Sequence, residues 1–216
     1  MATQQDDNQI DLFQTVSTQC VPGSTNSATL QVPPKERPLA FQMRPTSLKE
    51  FKGGEQLCAQ YPFLTRSPLP STILWGPPGC GKTSLAHLLA QVSGQIIHPF
   101  SAVLGGLPEL RALIKECQQQ QSATKPIIFI DEIHRFNRSQ QDALLPYVES
   151  GEFTLLGATT ENPTFSINRA LLSRAHQVEL TALSANELVE ILQESCQRVG
   201  ESLQSALFEL IADYSS

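Results

Sequence analysis

The run Gly76-Pro77-Pro78-Gly79-Cys80-Gly81-Lys82-Thr83, followed by Ser84, has the residue types and spacing that hold phosphate. Glycines let successive backbone N–H groups turn inward around an anion, at the positive end of the helix that follows. The Lys82 ammonium would neutralise the β- and γ-phosphates of a nucleoside triphosphate, and the Thr83 hydroxyl would ligate Mg²⁺. Cys80 stands at a variable position of the pattern, where a thiol can be reactive. A glycine- and proline-rich loop without a ligand is the bland alternative. An apolar strand pattern before the loop and an amphipathic helix pattern after it count against that.

A second run, Ile127-Ile128-Phe129-Ile130, ends in Asp131-Glu132. Four consecutive apolar residues suit a buried strand, which would deliver two carboxylates to the carboxyl edge of a sheet, where ligands of such sheets bind. Asp131 would hold Mg²⁺ through water, and Glu132 would act as general base toward the attacking water. A third strand pattern, Phe153 to Gly157, leads into Ala158-Thr159-Thr160-Glu161-Asn162. If it lies beside the first two, Thr160 can hydrogen-bond the γ-phosphate or the attacking water, with Asn162 as the second choice. Arg174, after the apolar pair Leu171-Leu172, can reach a neighbouring subunit's γ-phosphate if subunits pack side by side; spacing alone leaves it equally a surface arginine.

Other polar residues carry less. His87 and His98 have no ligand partner at useful spacing and read as packing or surface residues. In His134-Arg135-Phe136-Asn137-Arg138 two arginines flank an aromatic residue, which suits contact with DNA, signalling to a neighbour, or an ordinary loop. The guanine-reading Asn-Lys-x-Asp pattern is nowhere in the sequence, so the nucleotide expected is ATP.

These residues need a scaffold that brings several strand ends together. Short apolar runs (Thr72 to Trp75, Ile96 to Phe100, Ile127 to Ile130, Phe153 to Gly157, Gln177 to Leu180) alternate with helix patterns at Lys82 to Val92, Leu107 to Cys117 and Gln140 to Glu149. That alternation predicts an α/β fold with a mostly parallel sheet covered by helices. Ser139 and Asp142 stand in capping-box spacing at the start of the third helix. Ser184 and Glu187 do the same for a later helix with Leu188, Ile191, Leu192 and Val199 on its buried face and Gly200 as its stop. Leu203, Leu207, Leu210 and Ile211 outline one more. Three regions are expected: a disordered polar tail over 1–37, a core over 38–180, and a partial helical lid over 181–216.

In a chain of 216 residues, 40% of them hydrophobic, one α/β domain with a small appendage is the expected size. The five cysteines are scattered with neither paired nor zinc-ligand spacing. A net charge of −6 argues against the basic field of a dedicated nucleic-acid binder, though not against a local basic strip. The polar, acidic start does not read as a secretory signal, no apolar run is long enough to cross a bilayer, and the expected compartment is the cytoplasm.

Taken together, Pro38-Leu39-Ala40, Met43-Arg44-Pro45, the phosphate loop from Trp75, Phe129 to Asn137, Ser139 to Val148 and Gly157 to Arg174 closely resemble the replication-associated recombination protein A family, AAA+ ATPases that act at stalled replication forks. The resemblance implies a five-stranded P-loop sheet with a helical lid, and an adenine pocket lined partly by the segment from Leu39 and Ala40 to Gly53. It also implies Thr160 as the sensor residue and Arg174 as a trans-acting finger. Family members form homo-oligomers, bind DNA ends, gaps or forks, and interact with single-strand-binding protein, so DNA, that protein and the nucleoid are the implied partners and setting. They continue beyond the matched region with the rest of the lid, a second sensor arginine and a helical oligomerisation domain. None of these is recognised in the 216 residues, which leaves a monomer open for this chain. Two functions follow as expectations: Mg-ATP hydrolysis coupled to DNA transactions, or a nucleotide-dependent recruitment module that hydrolyses little.

Overall fold

The apolar runs differ in how completely they are buried, and that difference orders them in the sheet. The computed structural model describes residues 43–119 and 124–199. Strands β1 (Thr72–Trp75), β3 (Ile127–Asp131) and β4 (Thr154–Thr159) are buried over nearly their whole length, which requires cover on both faces and neighbours on both edges. Strands β2 (Ile97–Ser101) and β5 (His176–Glu179) are only partly buried and form the edges; Pro99, with no N–H to donate, is tolerated on β2 for that reason. The order is β2-β3-β4-β1-β5, and every pair is parallel. The five-stranded parallel sheet expected from sequence is therefore present.

Alternation along the strands divides the core into two layers. Ile127 and Phe129 of β3, Leu74 of β1, and Leu156 and Ala158 of β4 pack with Leu85, Ala86 and Leu89 of α2 (Lys82–Ser93). The same layer takes partly buried residues from the segment around α1 (Gly54–Gln60) and the 3₁₀ turn Pro62–Thr65. On the opposite face Ile128, Ile130, Ile73 and Leu155 meet Leu110 and Ile114 of α3 (Leu107–Gln119). A 3₁₀ turn, Ile133–Arg135, and the short helices α4 (Arg138–Asp142), α5 (Leu145–Ser150), α6 (Pro163–Ser166) and α7 (Arg169–Leu172) follow the ends of β3 and β4. Helix α8 (Ala185–Val199) comes after β5.

Two expectations need correction. The helix expected over Gln140 to Glu149 is two helices, α4 and α5, because Pro146 lacks the N–H that a helix interior needs and so sits in the first turn of α5. Its start is also earlier. Asn137, not Ser139, is the N-cap: its side chain accepts from the Gln140 N–H at 2.9 Å, while Gln140 accepts from the Asn137 N–H at 2.9 Å. The box at Ser184 and Glu187 does form, with the Ser184 N–H donating to the Glu187 carboxylate at 2.8 Å. Gly200 and the helix expected around Leu203 to Ile211 lie outside the described residues.

Candidate nucleotide site

The loop between β1 and α2 turns on glycines that other residues could not replace. Gly76 and Gly81 have φ of 154° and 92°. A Cβ on Gly76 would lie 2.2 Å from the Leu180 carbonyl oxygen, and one on Gly81 would lie 2.8 Å from the Phe51 ring. Pro77 and Pro78 carry the chain on to Gly79, which also has positive φ. The Lys82 ammonium is buried in the loop and donates to the carbonyls of Gly76 at 2.9 Å and Pro77 at 2.7 Å, with the Cys80 sulfur at 3.8 Å. With no carboxylate among these partners, the ammonium keeps a charge that suits a phosphate. Thr83 and Ser84, both partly exposed, follow in the first turn of α2.

Strand β4 joins this loop to the acidic pair, because it pairs with β1 on one side and β3 on the other. The Gly76 N–H donates to the Thr159 carbonyl at 3.3 Å, so the phosphate loop starts where β4 ends. Asp131 closes β3, and its carboxylate accepts from the Glu132 N–H at 3.1 Å. Glu132 is the one described non-glycine residue with positive φ, at 53°. Such a backbone costs about 1 kcal/mol or more and is usually kept for a reason of geometry. The Glu132 carboxylate lies 3.2 Å from Nδ1 of His134, whose side chain is nearly buried, and the same nitrogen is 2.9 Å from the Thr159 hydroxyl. For Glu132 to accept there, the proton must be on Nδ1. Thr160 follows Thr159 and is exposed, whereas the second candidate, Asn162, is committed to capping α6 through the Thr164 N–H at 3.0 Å.

A cavity of about 500 Å³ opens beside the loop, a size suited to a nucleoside. Met43, Arg44 and Phe51 form one side, Cys80 and Gly81 the floor, and Leu188 and Ile191 of α8 the other side. Lys52 ties the two sides together through Glu190 at 2.9 Å and Glu194 at 3.0 Å. Those hydrogen bonds, Glu190 first, raise the Lys52 pKa above its ordinary value. Gly53, with φ of 73°, turns the chain into α1 just beyond this wall, and Leu39 and Ala40 lie outside the described residues. Phe51 falls within the segment that the resemblance implied as pocket lining; Leu188 and Ile191 were missed as pocket residues, since their helical spacing signalled only a buried face.

Among the described residues no group of three or more His, Cys, Asp or Glu side chains stands ready to hold a metal. The Thr83 hydroxyl and the Asp131 carboxylate are oxygen donors of the kind Mg²⁺ takes when phosphate and water complete its shell. Arg174 is at the surface beyond α7. It pairs with Glu149 at 2.6 Å and donates to the Ala170 carbonyl at 2.7 Å. Phe136, flanked by arginines in sequence, is a core residue at 3% exposure and cannot offer its ring to a ligand.

Residues 72–183 match the ATPase family associated with various cellular activities. Replication-associated recombination protein A of Escherichia coli K12 is 44% identical over 166 residues, covering 74% of this chain and 37% of that protein. The ATPase WRNIP1 of Dictyostelium discoideum is 46% identical over 165 residues, which are 74% of this chain and 19% of that one. Among solved structures, the Thermotoga maritima RuvB Holliday junction branch migration motor superposes with a TM-score of 0.65 at 31% identity, covering 79% of this chain and 59% of that one. The chain thus spans well under half the length of these two curated relatives.

Proposed function

The chain belongs to the ATPase family associated with various cellular activities, and from that premise we propose that it hydrolyses Mg-ATP at the β1–α2 loop in the service of replication-associated DNA recombination and repair. What supports the reading is that Lys82, the Asp131-Glu132 pair and Thr160 all stand at one edge of the sheet, because β4 lies between β1 and β3. In this reading the adenosine enters the cavity between Phe51 and α8, and the triphosphate displaces the two carbonyls from Lys82. Glu132 takes the proton of the attacking water while the bond from the γ-phosphorus to the bridging oxygen breaks, its electron pair leaving on ADP. Thr160 orients that water or the γ-phosphate. Thr83 and, through water, Asp131 would hold Mg²⁺, which would supply charge neutralisation at the phosphates. Arg174 acts on a neighbour's nucleotide, so full turnover needs a homo-oligomer.

The alternative, a nucleotide-dependent recruitment module with little hydrolysis, draws support from one observation. Arg174 is engaged by Glu149 and Ala170 of its own chain, which suits a subunit that has no neighbour to act upon. DNA ends, gaps or forks are the proposed partners, with single-strand-binding protein beside them. No helix among the described residues is long and apolar enough to cross a membrane, and the proposed setting is the nucleoid.

The test is nucleotide binding and turnover on the same preparation. Lys82→Ala is expected to weaken ATP binding at least about tenfold, since it removes a charge-assisted phosphate contact. Forked or gapped DNA is expected to raise phosphate release. Tight ATP binding in Lys82→Ala would rule out this loop as the site, and turnover indifferent to DNA would favour the recruitment reading.

A further inference from the structure

Beyond β3 and β4 the short helices α4, α6 and α7 enclose a groove of about 610 Å³. Its walls carry Arg138 and Arg169, both exposed, and neither forms an ion pair among the described residues. Phe165 stands at the groove with 88% of its surface exposed, the most exposed aromatic ring among the described residues. The groove's acid, Asp142, is already engaged, since its carboxylate accepts from the Asn168 side-chain amide. The charge left over is positive, in a chain whose net charge is −6.

The groove is rigid as well as charged. Gln141, only 2% exposed, lies behind it and bonds both walls: its amide donates to the Phe136 carbonyl at 2.9 Å and to the Ser166 carbonyl at 3.1 Å, and its oxygen accepts from the Asn168 N–H at 2.6 Å. The two walls are also the direct continuations of the strands that carry Glu132 and Thr160. Arg138 follows Glu132 by six positions, and Phe165 follows Thr160 by five.

We propose that this groove is a contact site for single-stranded nucleic acid, with one unstacked base on the Phe165 ring and flanking phosphates at Arg138 and Arg169. An exposed aromatic ring sharing one groove with two guanidinium groups that form no ion pair among the described residues complements the two things a single strand supplies, a π-face and regularly spaced anions. Duplex fits less well, because its bases are already stacked. The proposal rests on the DNA part of the function given above. It assigns to Phe165 the stacking role that the arginine-flanked Phe136 fails to fill.

The experiment is an anisotropy titration of a fluorescein-labelled oligothymidylate about 20 nucleotides long, at several salt concentrations, with the full chain and the variants Phe165→Ala, Arg138→Ala and Arg169→Ala. All three side chains are exposed, so thermal melting should match the parent. Phe165→Ala is expected to weaken binding about tenfold with the salt dependence unchanged, since stacking carries no counterion release. Each arginine variant is expected to lower the slope of log K against log salt by about 0.7, the signature of one lost phosphate contact on a single strand. A duplex of equal length should bind with no sensitivity to Phe165. If the parent binds and all three variants match it, the groove is wrong while the DNA function stands. If the parent binds neither form, the DNA function and the groove fail together. Variants that alter only self-association in sedimentation would make this a subunit contact and overturn the proposal.

Discussion

At the scale of single residues, the proposed base is defined by what holds it. Glu132 sits on a left-handed backbone and reaches His134, which in turn touches the Thr159 hydroxyl at the end of the neighbouring strand. The imidazole therefore couples the position of the carboxylate to β4, and a carboxylate displaced by about 1 Å costs on the order of a hundredfold in rate. His134→Ala is expected to lower kcat by about ten- to a hundredfold with ATP affinity unchanged; steady-state kinetics beside a binding isotherm separate the two. Equal kcat in the variant would mean that His134 only packs. Much of this site was legible in sequence, because glycines, a lysine and paired acids at fixed spacing have few other uses. The tie between His134 and Glu132 was not, since it depends on a positive φ that a glutamate rarely adopts. Phe136 misled for a related reason: flanking arginines say nothing about which way the ring between them turns.

At the scale of elements, α8 closes the nucleoside cavity through a small number of contacts. Lys52 bridges to two glutamates that are both more than half exposed, so the tie is worth no more than about 1 kcal/mol after solvent screening. Lys52→Ala is expected to weaken ATP binding by about two- to fivefold, and the difference from the parent should shrink as salt rises. A variant that binds ATP like the parent at low salt would show that α8 closes without this tie. The capping box that starts α8 was legible, since Ser184 and Glu187 bracket a clear apolar stripe. Ser184 donates to Glu187 and lowers its pKa, so the cap's contribution is present above the ordinary value of 4.5 and is lost as pH falls below it. The boundary at α4 was less readable. Two nearby residues, Asn137 and Ser139, both suit a helix N-cap, and only the hydrogen bonds choose between them.

At the scale of the whole molecule, a half-buried histidine links folding to pH. His87, on α2, packs near the ring of Phe129 in the sheet. Burial, and then the nearby Arg44 charge, lower its pKa below the ordinary 6.5. The unfolded chain therefore binds this proton more readily, and its contribution to stability is complete above pH 6.5 and lost as pH falls through 6.5 toward the lower folded value. Replacing His87 by Gln should flatten that part of the curve of melting temperature against pH; an equally steep curve would place the titration elsewhere. The order of strands was not legible, because periodicity reports burial and not neighbours. Yet that order puts β4 between the phosphate loop and the acidic pair and so makes one site of three segments. The groove at Phe165 was hidden for the same reason, as its walls come from separate helices. The central claim, hydrolysis with Glu132 as base, is tested most directly by single-turnover phosphate release from Mg-ATP in the parent and in Glu132→Gln. ATP is expected to remain bound in the variant while release falls at least about a hundredfold, as loss of a general base requires. Release at the parent's rate would contradict it.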